Sequence, residues 1–251
     1  MAKRDFKAGL VSISFRSETP EAILRAMKAA NLTHIEWGSD VHAPKEDLAY
    51  LRELAALTQE YGVTVSSYGT YFKLGETPMS ELPAYIAAAR ALGTDILRLW
   101  CGTKNGAAMT EEERLSFFEL CKEAARIAEK EGVTLCMECH KNTFMEDPKD
   151  SLLLMQAVAS SAFAMYYQPH QWRSIAENEA MAKALAPYTR VVHVFQWKGS
   201  ERFPLAIGCE EWKGYLSHFD GLPLLLEFMP DDRLETLSNE AEALKKLIGE
   251  L

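Results

Sequence analysis

Glu138 closes the apolar run Leu135-Cys136-Met137, and Glu227 closes Pro223-Leu224-Leu225-Leu226. Each stands where a strand-like segment gives way to a loop. A carboxylate there costs free energy unless a cation, a metal or hydrogen-bond donors meet it. Two glutamates facing one another across a pocket can move a proton in both directions at a carbon next to a carbonyl. One takes the proton, a cation or donors hold the enediolate, and the other returns a proton. A divalent metal between them would let both stay ionised at short range. The competing reading of each glutamate is a structural ion pair with Arg or Lys.

The elements that must position them alternate along the whole chain. Strand patterns are expected over 9–16, 34–38, 63–68, 96–100, 133–138, 162–170, 190–197 and 222–228. Helical patterns follow them, from Pro20 after the cap Thr19, then over 44–61, 79–92, 110–131, 147–158, 178–185, 209–219 and 234–248. Thr110 with Glu113 reads as a capping box, and Gly62, Gly93 and Gly132 stand where helices stop. Units of about 30 residues, eight of them in a chain of this length, predict an α/β fold of the (β/α)8 TIM barrel type, with residues 1–251 as a single domain. A doubly wound sheet is the rival, but no strand is followed by a dinucleotide-binding glycine fingerprint.

A barrel gathers its active site at the C-terminal ends of its strands, so the candidates can be named. Trp37, His42, Tyr68, Tyr71, Arg98, Trp100, His140, His170, Gln196, Trp197 and Lys198 are expected to touch substrate, with Glu138 and Glu227 as the catalytic pair. Aromatic walls with scattered polar groups suit a sugar or other polyol, whose ring faces stack while its hydroxyls need directed hydrogen bonds. Tryptophans at strand ends can equally close the barrel top, and His34 and His218 read as packing residues.

Composition narrows the classes. A hydrophobic fraction of 48% with 25% charged residues suits a globular chain with a sizeable core. A net charge of -9 without a basic run argues against nucleic acid as partner, and no apolar run approaches the ~20 residues that cross a bilayer. The start, Met1-Ala2-Lys3-Arg4-Asp5-Phe6, lacks the pattern of a signal peptide, so a cytoplasmic location is expected. Five cysteines without framework spacing read as free thiols. Cys136 and Cys139 form a CxxC, but along a strand they point to opposite faces and would not share a metal. A small-molecule partner is expected, and a homo-oligomer is compatible with the chain.

The fifth strand ending in Glu138, the eighth ending in Leu225-Leu226-Glu227-Phe228, and the eight-unit length resemble the xylose isomerase-like TIM barrels, the sugar phosphate isomerase/epimerase group. That resemblance implies a sugar or keto-sugar isomerase or epimerase. It also implies one divalent metal, Mn²⁺, Mg²⁺ or Zn²⁺, held by residues from strands five to eight, usually Glu, Asp, His and Glu. Carried onto this chain, the set is Glu138, Gln168, His193 and Glu227. Gln168 departs from the family's Asp and is a neutral, weaker ligand for a hard cation. The strand-seven ligand is His193 in one register and falls at Phe195, with Gln196 as nearest oxygen donor, in another. A metal-free site would draw its positive charge from His170, His193 or Lys198. A lyase, a glycoside-cleaving enzyme and a non-catalytic sugar-binding barrel are the alternatives.

Overall fold

Alternation along the strands explains the architecture, because neighbouring side chains of a strand point to opposite faces. In the computed structural model, which describes residues 4–251, eight parallel strands close into a barrel. They are β1 (Lys7–Val11), β2 (His34–Gly38), β3 (Thr64–Leu74), β4 (Ile96–Cys101), β5 (Thr134–Glu138), β6 (Phe163–Tyr167), β7 (Thr189–Val194) and β8 (Pro223–Leu226). Each pairs with its neighbours in sequence, and β1 closes the ring on β8 through Lys7 opposite Pro223 and Leu10 opposite Leu226. Eight helices alternate with them: α1 (Pro20–Ala29), α2 (Leu48–Glu60), α3 (Leu82–Leu92), α4 (Glu111–Glu131), α5 (Pro148–Val158), α6 (Ile175–Leu185), α7 (Cys209–Leu216) and α8 (Leu237–Gly249). This is the expected (β/α)8 barrel. Met1, Ala2 and Lys3, at the start of the expected domain and of the segment read for a signal peptide, lie outside the described residues.

Two apolar layers result. Leu97, Leu99, Leu135, Met137, Met165, Tyr167, Val192, Val194, Leu224 and Leu226 belong to the large buried cluster shared with the helices. Val11, Cys136, Ala164, Tyr166, Val191 and Leu225 form a separate, smaller cluster together with Ile13. Between the apolar residues of this inner set, the same period delivers Glu36, Arg98, Glu138 and His193, all buried. These four charges are thus placed by strand alternation, and Gln168 and Glu227 follow one position past the ends of β6 and β8.

Helix ends follow their expected chemistry. Thr19 accepts from Ala22 N, Thr110 and Glu113 form the capping box, and Gly93 and Gly132 take the left-handed conformation that ends α3 and α4. Three boundaries differ in ways that matter. The first strand stops at Val11, and Ser12–Phe15 turn into a 3-10 helix, because Ser12 Oγ accepts from Gly38 N and Ser14 Oγ accepts from Phe228 N. The third runs on to Leu74 through a register shift, so the expected loop at Tyr71 is strand. The seventh ends at Val194, and Trp197–Lys198 pair with Glu201–Arg202 in a short hairpin. Helix α6 also starts earlier than expected, at Ile175, after a capping box of Ser174 and Glu177.

Among the described residues no helix is long and apolar enough to cross a membrane. All five cysteines are free.

Candidate active site

Four neighbouring strands converge on His193. Its Nδ1 lies 3.3 Å from Gln168 Oε1, 3.5 Å from Glu227 Oε2 and 3.9 Å from Glu138 Oε1. Ligand atoms of Glu138, His193 and Glu227 all fall within 4.8 Å of one another. Gln168 presents its oxygen because its Nε2 donates to Cys139 O at 2.8 Å. Val191 and His193 share a face of β7, which turns the imidazole into the barrel. Phe195 and Gln196 fall beyond the strand, and Gln196 donates to Glu211 instead.

A second charged layer supports the first. Arg98, on β4, donates from Nε to Glu36 Oε1 at 3.1 Å and from Nη1 to Glu138 Oε2 at 2.5 Å. Trp100 Nε1 donates to the same Glu138 oxygen at 2.7 Å. Ser67 Oγ donates to Glu36 Oε2 at 3.0 Å, and that oxygen lies 3.5 Å from His193 Nε2. Glu138 is therefore both the expected strand-end carboxylate and one half of a buried ion pair. One oxygen is bound by donors and the other faces Nδ1.

The charges answer one another. Burial works against ionisation of Glu36, but the positive charges of His193 and Arg98 outweigh it and hold its carboxyl at about 2. Burial likewise opposes the charge of Glu138, and Arg98 and His193 still keep it below the ordinary carboxylate range. For His193, burial disfavours the imidazolium, yet the carboxylates of Glu227 and Glu36 raise it to about 10. His170 has no such partner, and desolvation lowers it to about 4. It is neutral near pH 7, which removes it as a source of positive charge.

The donor set fits a divalent cation. It comprises three oxygens and one imidazole nitrogen turned toward a common point, a mixture that suits Mn²⁺, Mg²⁺ or Zn²⁺. With a neutral imidazole, the carboxylates of Glu36, Glu138 and Glu227 against the one guanidinium of Arg98 leave two negative charges, which one dication balances. The thiols do not compete, since burial pushes Cys139 up to about 12 and raises Cys136 as well.

Above this floor opens a cavity of about 160 Å³. Tyr71, Arg98, Trp100, Glu138, His140, Gln168, His170, Trp197 and Glu227 line it, as do Trp172, Phe195 and Phe228, which were not among the expected substrate contacts. The aromatic faces are largely occupied by the protein itself. His140 stacks on Trp100 at 4.6 Å with Lys73 over the ring, and His170 stacks on Trp172 at 4.7 Å with Lys141 over it. Arg202 lies 5.1 Å from the ring centres of both Trp197 and Phe228. Ring edges and polar tips are therefore as prominent in the walls as stacking faces.

Some expected residues are not brought to the cavity. Trp37 and Tyr68 follow Glu36 and Ser67 by one position and so face the helices, where Trp37 donates to Thr58 and Tyr68 to Ala43 O. His42 is buried between Ser12 Oγ and Glu18 O and ties two loops together. Gln196 and Lys198 line an adjoining side cavity of about 380 Å³ beside α6 and α7, which shares His170, Phe195 and Trp197 with the first. Conversely, the sequence reading missed Glu36. The signal was present in Ile35-Glu36-Trp37, where two large apolar residues on one face force the carboxylate to the other.

Comparison with known proteins bears on this fold. Among curated proteins no sequence matches the chain. Among solved structures, the probable 3-DHS dehydratase AsbF from Bacillus anthracis superposes with a TM-score of 0.79 at 18% identity, covering 95% of this chain and 98% of its own. A xylose isomerase-like TIM barrel protein from Mycobacterium smegmatis in complex with magnesium gives 0.68 at 14% identity, covering 98% and 97%. D-psicose 3-epimerase with D-tagatose from Clostridium cellulolyticum H10 gives 0.67 at 12% identity, covering 96% and 98%. At such identities the likeness is one of fold. The family model for the xylose isomerase-like TIM barrel matches residues 24–247, and the chain belongs to that family.

Proposed function

We propose that the protein is an isomerase or epimerase of a sugar, keto-sugar or related polyol, working by proton transfer next to a carbonyl. The observation that carries this reading is the convergence of Glu138 and Glu227 on His193 at the floor of one small aromatic-walled cavity. Glu227 has no hydrogen-bond donor apart from the nearby imidazole and is assigned the first proton removal. Glu138, held ionised by Arg98 and Trp100 through Oε2, takes a proton from a substrate hydroxyl on Oε1 and returns it to carbon, while Glu227 gives the proton it removed back to that oxygen. Gln168 Oε1, His193 Nδ1 and one oxygen each of Glu138 and Glu227 would hold a divalent cation, which when bound supplies Lewis-acid charge beside the substrate oxygens. The aromatic walls exclude water and orient the substrate, and Arg98 keeps the floor from repelling an enediolate.

A lyase of the dehydratase kind is a second reading, favoured by the TM-score of 0.79 to the probable 3-DHS dehydratase. Both reactions start with the same proton removal, and they differ in whether a proton returns or a β-hydroxyl leaves.

The test is a panel of ketoses, aldoses and hydroxy-keto compounds incubated with Mn²⁺-supplemented protein in D₂O. Solvent deuterium is expected in a product of unchanged carbon skeleton, and Glu138→Gln and Glu227→Gln are each expected to abolish it. Exchange retained in both variants ends the proposal; a product lighter by one water selects the dehydratase. Tight binding of a sugar without exchange on any compound supports a non-catalytic barrel.

A further inference from the structure

We propose that Glu36 is the positioning residue of this site. Its two oxygens divide the work. Oε2 steadies His193 so that Nδ1 is presented to Gln168, Glu138 and Glu227, and Oε1 holds Arg98, which in turn fixes Glu138. The inference rests on the reading of Glu138, Gln168, His193 and Glu227 as cation ligands.

Four observations carry it. Glu36 is fully buried and does not line the cavity, so it acts only through other side chains. Its Oε2 lies 3.5 Å from His193 Nε2, the nitrogen opposite the one that faces Gln168 and Glu227, while Ser67 Oγ donates to that oxygen at 3.0 Å. Its Oε1 accepts from Arg98 Nε at 3.1 Å, and the next guanidinium nitrogen reaches Glu138 Oε2 at 2.5 Å. Finally, the backbone makes room for this carboxylate: a Cβ on Gly69 would meet Oε1 at 2.4 Å.

Neutralising Arg98 would account for Oε1 alone. It leaves the second oxygen, turned to Ser67 and His193, without a purpose. A carboxylate behind a ligating imidazole supplies one: it fixes which ring nitrogen carries the proton, orients the ring and raises its donor strength. One buried side chain thereby prepares two of the four ligands, and no loop need move to assemble them.

The test uses Co²⁺ alone as probe, on chelator-treated wild type, Glu36→Gln and Ser67→Ala, with affinity by titration calorimetry and site geometry from the visible absorption of bound Co²⁺. Loss of this support is expected to raise the Co²⁺ Kd of Glu36→Gln by roughly 10–100-fold and to shift the absorption bands. Ser67→Ala, which leaves the charge in place but frees Oε2, is expected to move both in the same direction by less. A folded Glu36→Gln with unchanged bands and a Kd within about twofold of wild type overturns the proposal. Should Glu36→Gln not fold, Ser67→Ala decides: wild-type affinity and bands overturn it. Wild type that binds no Co²⁺ removes the ligand reading itself and the positioning role with it, an outcome distinct from binding that is indifferent to residue 36.

Discussion

Arg98 Nη1 donates to Glu138 Oε2 across 2.5 Å, with both side chains buried inside the barrel. The pair joins two roles that a sequence presents as rivals. An ion pair accounts for a buried carboxylate without any chemistry, yet here it binds one oxygen and leaves the other toward His193 Nδ1. The guanidinium thereby sets where the second oxygen lies, the one that the proposed mechanism uses.

Arg98→Met should be among the most destabilising single changes in the chain. It leaves Glu36 and Glu138 facing one another without their shared cation, and breaking a buried pair of this kind costs about 3–5 kcal/mol. Urea unfolding should show the midpoint falling sharply. Loss of less than about 1 kcal/mol would mean that water or His193 compensates the carboxylates.

Trp100→Phe keeps an aromatic ring beside His140 while deleting the donor to Glu138 Oε2. Removing a hydrogen bond to a charged group costs roughly 1.5–3 kcal/mol at most and favours the protonated carboxyl. Under the proposed mechanism the acid limb of the pH–rate profile therefore moves to higher pH. An acid limb that stays put would show that Arg98 alone governs Glu138.

Stability of the chelated protein should have a defined pH window. Glu36 is depressed from 4.5 to about 2, so its stabilisation is present above 4.5 and is lost as pH falls toward 2. His193 is raised from 6.5 to about 10, so its stabilisation is complete below 6.5 and is lost as pH rises through 10. Urea midpoints measured without metal should peak between these two limbs, from about pH 4.5 to 6.5. In Glu36→Gln the acid limb should flatten.

Added divalent cation should raise the melting temperature in proportion to the logarithm of its concentration above Kd, and chelator should reverse the rise. The gain should be smaller in Gln168→Leu, which removes the neutral oxygen ligand, and absent in Glu227→Gln. Equal gains in all three proteins, followed by differential scanning fluorimetry, would place the cation elsewhere.

The barrel was legible because its period was. Ile35 and Trp37 about Glu36, and Leu97 and Leu99 about Arg98, carry the alternation that turns charge inward. Glu36 was not legible as a site residue because it lies inside β2, two positions before the strand ends at Gly38. Trp37 and Tyr68 were misplaced because being at a strand end says nothing about which face a side chain takes. The end of β7 was not legible, since Phe195 and Trp197 continue its large apolar residues past Val194, where the backbone leaves the ladder. Nor was the end of β1, where Ser12 and Ser14 turn the chain by accepting bonds from residues 26 and 214 positions away. Such information exists only after the barrel closes.

The origin of each buried charge along the chain bears on assembly. Glu36 and Arg98 belong to β2 and β4, so the leading half of the polypeptide carries an acid and a base that neutralise one another. Glu138 and Glu227 come from the trailing half, where they meet the buried imidazole of His193. A nascent chain released through β4 therefore has a balanced interior to collapse around. The later strands bring Glu138 and Glu227 to a guanidinium that the leading half supplies.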